Sequence, residues 1–336
     1  MLKIAINGVG RIGRACARMI LCDQEYSRRF SLVAANDLAD AETLKYLLKY
    51  DSFFGRFAIE SERLNAARFS QAKTPEDCDF RGADIVLDCT GKFARSADLN
   101  CYLENGARRA VISTPPLDSA IVMPPPPEKA AKTPLVSAGS CTANALYLLG
   151  KVMRENFGAE AVLATSIHSY TSDQKLLEEI PINPDDISAN GICPAKSVLY
   201  SEAVELRRVR ASAINIIPVE TSAAKNLARY DRRFAARSAA IGLRVPTPNV
   251  SLMQATFLLP KPAIVSEINV AFSQAADEKI LKIAPSDLVL RDFAGDRALV
   301  IADLSLTIAS GNIAQICAWH DNETAFAARM LDLAAI

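Results

Sequence analysis

The sequence predicts an α/β chain of two domains: a parallel sheet wound with helices, then an α+β domain whose sheet is mainly antiparallel. Three observations carry this reading. At 336 residues the chain exceeds the size at which one hydrophobic core usually stops growing. Through the first third, strand-length apolar runs alternate with stretches of helical periodicity, as crossover helices on a parallel sheet require. From about residue 245 onward, strand-like runs follow one another, which suits antiparallel pairing.

The elements follow in order. Leu2 to Asn7 reads as a buried strand, and Ile12, Cys16, Met19 and Ile20 then recur at helical spacing. Ser31 to Asn36 gives a second strand, with Ala83 to Cys89 and Arg109 to Ser113 as two more. Helical stretches at 41–50 and 96–106 lie between them. Pro115 to Pro134 is proline-rich and reads as an extended crossing near a domain boundary. An apolar pattern after Cys141 opens a new α/β unit. Strands are expected at Val162 to His168, Val250 to Leu259, Ala263 to Phe272, Ala298 to Ile308 and Asn312 to Trp319, and an amphipathic helix at Glu323 to Ala335. The expected boundaries are 1–140 and 141–322, with helix 323–336 packing back on the first domain.

Composition narrows the function classes. Lysine plus arginine equals aspartate plus glutamate, 38 against 38, so no general field attracts nucleic acid or an anionic membrane. No apolar run reaches transmembrane length, and the N-terminus enters a strand without the pattern of a secretory signal. A cytoplasmic location is therefore expected. The eight cysteines are scattered without a C-x-x-C pair, which reads as reduced thiols rather than a disulfide frame or a zinc site. No metal is expected.

Gly8-Val9-Gly10-Arg11-Ile12-Gly13 is G-x-G-x-x-G between a strand and a helix. The glycines permit a tight turn and close approach of a pyrophosphate, which the helix N-terminus attracts. Asp37 ends the second strand, where a carboxylate can accept from ribose hydroxyls and repel a 2′-phosphate, favouring NAD over NADP. These features in order predict a Rossmann-type dinucleotide-binding domain; Asn36-Asp37 also fits a simple turn.

Ser140 is a suitable N-cap, which places Cys141 in the first turn of a helix whose N–H groups favour a thiolate. Lowering a thiol from a pKa of about 8.5 to about 6 takes roughly 3.4 kcal/mol, more than a helix end supplies. A nearby imidazolium is therefore wanted. The chain has two histidines, and His168 stands at a strand end before a polar turn, where it suits a thiolate partner and general base. The same positions also fit a hydrogen-bonded structural histidine and a packed cysteine, and spacing alone does not choose between them.

Ordered blocks carry a resemblance across nearly the whole chain: Asn7-Gly8-Val9-Gly10-Arg11-Ile12-Gly13-Arg14, Cys89-Thr90-Gly91, Ser140-Cys141-Thr142-Ala143-Asn144, His168 to Gln174, Asn215-Ile216-Ile217-Pro218, Thr221 to Lys225, Arg244 to Val250 and Trp319 to Glu323. The chain resembles the phosphorylating glyceraldehyde-3-phosphate dehydrogenases. That resemblance implies NAD-dependent oxidation of D-glyceraldehyde 3-phosphate with phosphate to 1,3-bisphosphoglycerate. Cys141 would carry the acyl group as a thioester and His168 would take the proton. By the same resemblance Arg244, Thr171 and Asp173 match the substrate-phosphate pocket, with Asp173 orienting Arg244. Ser140, Thr142, Thr221 and Ser222 match the attacking-phosphate pocket. Asn7, Gly8, Gly10, Arg11, Ile12, Gly13, Asp37, Thr90, Phe93, Ser113, Asn322 and Phe326 match cofactor positions. The implied partners are a small phosphorylated aldehyde, inorganic phosphate and further copies of the chain as a homotetramer. Arg207-Arg208-Val209-Arg210 reads as a solvated or interface face without a catalytic role.

The sequence departs from the family at several places. Ser222 stands where glycine is usual, Ala143 replaces a threonine, and Thr324-Ala325-Phe326 replaces Trp-Gly-Tyr. The stretch 175–206 is extended, which bears on tetramer geometry, and Phe57 to Arg81 is short. Two alternatives accompany the leading reading: an erythrose-4-phosphate dehydrogenase that releases its acyl group to water, and a catalytically weakened binding or regulatory homologue.

Overall fold

The computed structural model describes residues 1–121, 123, 133–178 and 207–336. The chain divides into two units, Met1–Ser140 with Phe326–Ile336, and Cys141–Ala325. Most of the 175–206 extension, Cys193 and the centre of the proline-rich stretch lie outside the described residues.

The first unit holds a six-stranded sheet in the spatial order Arg68–Ser70, Phe30–Asn36, Leu2–Asn7, Ile85–Asp88, Arg109–Ile112, Leu135–Ser137. Every pairing in it is parallel. Ile4, Ile6, Val86, Leu87 and Val111 are fully buried, which is why these strands are almost unbroken apolar runs: helices cover both faces. The strand order reverses between Leu2–Asn7 and Ile85–Asp88, so a crevice opens beyond Asn7 and Asp88, where such sheets bind ligands. Helix Arg11–Cys22 buries Cys16, Ala17, Ile20 and Leu21. The C-terminal segment belongs to the same unit, since Arg109 donates to the Leu333 carbonyl at 2.8 Å.

The second unit is built on seven strands in the order Ile217–Glu220, Ser238–Val245, Ala161–Ser169, Ser251–Leu258, Ile313–His320, Val300–Ser310, Leu281–Ile283. Four of its pairings are antiparallel, giving the expected mainly antiparallel sheet. Two are parallel, Ser238–Val245 with Ala161–Ser169 and Leu281–Ile283 with Val300–Ser310. Leu146, Leu149 and Met153 of helix Cys141–Phe157 share one buried core with Met253, Phe257, Phe272 and Ile316.

One expected strand is a helix. The strand-like run Ala263 to Phe272 predicts a strand, whereas Val265–Ala275 is helical. Its buried residues are Ile268, Ala271 and Phe272, spaced by three and four, and that period fits one helix face against the core. Burying Phe272 outweighs the modest helix propensity of valine and isoleucine; truncating such a side chain costs about 3–5 kcal/mol.

Candidate active site

In the first unit the glycine turn shows why each glycine is there. Gly8 has φ +85°, and a Cβ on it would lie 2.7 Å from the Thr90 nitrogen. A Cβ on Gly13 would lie 2.0 Å from the Gly8 carbonyl oxygen, so this glycine lets the helix pack against the turn. Gly10 differs, because a Cβ there would meet nothing within 4 Å. Its bareness serves no packing need in the chain, and it borders the start of helix Arg11–Cys22, where N–H donors and a partial positive charge meet an anion. A pyrophosphate fits that cradle. Asp37 accepts from the Val9 N–H at 2.7 Å and the Ala39 N–H at 3.2 Å, so it braces the turn while its other lone pairs stay open to a ribose.

Asn7 ends strand Leu2–Asn7, directly before the glycine turn. Its side chain is buried and donates to the Tyr102 hydroxyl at 2.7 Å, while Thr90 and Tyr102 donate to Asp88 at 2.7 and 2.8 Å. This network fixes the ends of the two central strands at the crevice. The Ser113 N–H donates to the Asp88 carbonyl at 2.9 Å, adding a third strand end. Arg11 pairs with Asp51 at 2.7 Å. Ile12 and Phe93 are half-buried, and Phe93 packs against the first unit's buried core. Phe326 is buried in the C-terminal helix.

In the second unit helix Cys141–Phe157 begins at the cysteine, directly after Ser140. His168 lies near the end of strand Ala161–Ser169, and Cys141 Sγ is 3.5 Å from His168 Nε2. Strand register brings the arginine: Arg244 pairs directly with His168 in the parallel strand alongside. His168 Nδ1 stands 2.7 Å from the Ser169 carbonyl and 2.5 Å from an Arg244 guanidinium nitrogen, and in the tautomer with the proton on Nδ1 the lone pair of Nε2 turns to the thiol. The Arg244 guanidinium donates to the same carbonyl at 3.1 Å and lies against the imidazole.

The electrostatics revise the expected imidazolium. Burial, then the Arg244 charge and His320, hold His168 well below the ordinary histidine value. Burial also pushes the Cys141 thiol up to about 11, with Arg244 and backbone N–H groups pulling the other way. Each charge alone is disfavoured, so the resting pair is a thiol beside a neutral imidazole. The pair is arranged for proton transfer from Sγ to Nε2 as the nucleophile attacks.

Around it, Thr171 donates its hydroxyl to Asp173, and its N–H bonds the Gln174 side chain at 2.9 Å. Burial would raise the Asp173 carboxyl, but Arg244, Thr171 and Arg208 together hold it below the usual range. Arg207 and Arg210 are exposed, and Arg208 between them pairs with Asp173 at 2.7 Å. A run of arginines alone gives no sign of which one finds a carboxylate; the one that receives Arg208 is 35 residues away. Thr221 and Ser222 precede helix Ala223–Tyr230, and the Ser222 hydroxyl accepts from Asn226 at 3.1 Å. The Thr221 Cβ lies 3.9 Å from where a Cβ would stand on Gly242, two residues before Arg244 and thus on the same strand face. Thr142 is buried in the first turn beside Cys141.

Asn322 is buried, and its carbonyl oxygen accepts from Ser169 and Ser251 at 3.0 and 3.2 Å. Those bonds turn its NH2 group away from the two serines. The two serines escaped the sequence reading because a hydroxyl that orients another side chain has no motif. His320 escaped it too, and its ring centroid is 6.2 Å from that of His168.

Comparisons with known proteins agree with this geometry. Residues 2–96 match the glyceraldehyde 3-phosphate dehydrogenase NAD binding domain, and residues 140–197 and 191–322 match the C-terminal domain of the same family. The chain is 35% identical over 352 residues to glyceraldehyde-3-phosphate dehydrogenase of Geobacillus stearothermophilus, covering 99% of this chain and 97% of that protein. It is 35% identical to glyceraldehyde-3-phosphate dehydrogenase 1 of Bacillus cereus over 100% of this chain and 98% of the other. With the Mycobacterium avium enzyme the identity is 33%, again over 100% and 98%. With a glycine cradle for NAD in one unit and a cysteine–histidine pair beside an arginine in the other, the chain belongs to the glyceraldehyde-3-phosphate dehydrogenase family, NAD-dependent oxidoreductases that act on aldehydes.

Proposed function

We propose that this protein oxidises D-glyceraldehyde 3-phosphate with NAD and inorganic phosphate to 1,3-bisphosphoglycerate through a thioester on Cys141. The observation that carries the reading is the 3.5 Å contact between Cys141 Sγ and His168 Nε2, with Arg244 held against the imidazole by strand pairing. Cys141 attacks the aldehyde carbon while His168 Nε2 takes the proton, so the thiol need not ionise beforehand. Bound NAD supplies the hydride acceptor for that carbon. Gly8, Gly10, Arg11, Ile12, Gly13 and Asp37 would hold the dinucleotide, Thr90, Phe93 and Ser113 would border it, and Asn322 would offer its NH2 group to the nicotinamide. Asn7 acts from behind, through the buried network that shapes the crevice.

Arg244 and Thr171 take the substrate phosphate, with Asp173 and Arg208 completing the charged pocket. Ser140, Thr142, Thr221 and Ser222 receive the attacking phosphate. The side chain at Ser222 adds a hydroxyl where the family has none, and helix Ala223–Tyr230 begins beside it. The protein acts as a homo-oligomer in this reading, which light scattering checks.

The test is NADH formation from glyceraldehyde 3-phosphate with and without phosphate, in native protein and Cys141→Ser. Turnover should require phosphate and vanish in the variant. Equal turnover of erythrose 4-phosphate without phosphate would replace this reading, and no turnover of either aldehyde would leave a binding role.

A further inference from the structure

We propose that Cys141, His168 and His320 form a binding site for a thiophilic divalent cation of the zinc class. One sulfur and one nitrogen from each histidine all lie within 4.8 Å of one another, inside a single unit of the fold. Their positions are set by three different elements. Cys141 opens helix Cys141–Phe157, His168 is near the end of strand Ala161–Ser169, and His320 ends strand Ile313–His320. Strand Ser251–Leu258 lies between the two histidine strands, and its Ser251 is opposite His320.

His320 is the second, independent observation. It is 1% exposed, and neither ring nitrogen has a hydrogen-bond partner among the described residues. Buried imidazole nitrogens without partners are costly, because both lost their bonds to water on folding. The Asp321 carboxylate next to it is committed to Asn249 and to the N–H groups of Gly295, Glu323 and Thr324, at 2.7–3.0 Å. His320 therefore has a lone pair to offer, and the atoms it faces are a thiol and another imidazole.

The geometry is close to what zinc needs. Tetrahedral bonds of about 2.3 Å to sulfur and about 2.05 Å to nitrogen set S···N near about 3.6 Å and N···N near about 3.4 Å. Cys141 and His168 already stand at 3.5 Å. The widest separation has to close by no more than about 1.4 Å, within reach of side-chain rotation. One thiolate and two imidazoles with no carboxylate select zinc, cobalt or copper ions over magnesium or calcium. Three protein ligands leave a fourth position for water. On binding, the Cys141 S–H bond breaks, its proton goes to solvent, and the thiolate electron pair binds the cation. The Arg244 guanidinium against His168 opposes a second positive charge, and the thiolate offsets it.

A bound cation occupies both the Cys141 sulfur and a ring nitrogen of His168, so it inhibits turnover. The inhibition rests on the proposed catalytic role of Cys141; the binding does not. The test is titration of the full chain with cobalt(II) alone, followed by absorbance. One equivalent should produce a thiolate-to-cobalt charge-transfer band in the near ultraviolet, bleached by zinc. His320→Phe, shown folded by circular dichroism, should bind at least tenfold more weakly, and zinc inhibition of whatever turnover it retains should need a concentration higher by the same factor. If that variant does not fold, His320→Gln is read by the same criteria. No band at one equivalent, or an unchanged band and affinity without His320, overturns the site. A band in protein that turns over no aldehyde upholds the site and refutes the catalytic reading.

Discussion

Replacing His168 with asparagine tests the central physical claim, that the thiol and imidazole rest neutral and share one proton during attack. Asparagine is polar and similar in bulk, so the slot at the end of strand Ala161–Ser169 stays filled while the base is lost. Cys141 must then ionise by itself, against the burial that pushes it up to about 11. A thiol with a pKa of about 11 is only about 0.1% thiolate at pH 8 and gains about tenfold per pH unit below that value. Loss of a positioned base costs about 10²–10⁴ in rate. The assay is single-turnover NADH formation from pH 6.5 to 9.5. The variant should be slower by at least about a hundredfold at pH 7.5, and its rate should climb about tenfold per pH unit where the native rate is governed by the pair. A loss under tenfold with an unchanged pH profile would refute the reasoning, because Cys141 would then be activated without His168.

Three further outcomes follow from the same structure. Gly10→Ala should leave the melting temperature unchanged and raise KM for NAD, whereas Gly13→Ala, whose Cβ would meet the Gly8 carbonyl at 2.0 Å, should destabilise the fold by about 1–3 kcal/mol or more. Melting curves and NAD titrations on both variants separate the two roles. Arg208→Met should raise KM for the phosphorylated aldehyde about 10–100-fold with kcat changed only a few-fold, since a charge-assisted bond contributes about 1.5–3 kcal/mol; an unchanged KM would return Arg208 to a structural role. Asp51 pairs with the buried Arg18 at 2.9 Å, and although burial raises its carboxyl, backbone N–H groups and Arg18 hold it well below the usual range. Its contribution to stability is therefore complete above about pH 4 and lost as pH falls further, by linkage. Asp51→Asn should unfold more readily in urea at pH 7 by about 3 kcal/mol, and the difference from native protein should shrink below pH 4.

Much of the site was legible along the chain because its parts are local. The glycine turn, Asp37 at a strand end and Cys141 at a helix start are each set by a few consecutive residues, whose backbone needs leave a mark in composition. The strands of the first unit were legible for a related reason: buried on both faces, they are unbroken apolar runs. The helix Val265–Ala275 was misread because a short apolar run carries strand and helix periods at once, and only the core facing Ile268 and Phe272 decides.

What tertiary structure alone decided is everything that rests on pairing between distant strands. The parallel register that sets Arg244 against His168 joins residues 76 apart, and the Asp173–Arg208 pair joins residues 35 apart. His320 comes within reach of Cys141 and His168 only because two strands flank a third. Sequence determines which groups can do chemistry, since side-chain type and local backbone are written there directly. Whether a group is charged depends on burial and on neighbours from other strands. That is why the expected imidazolium became a neutral base once the sheet was formed.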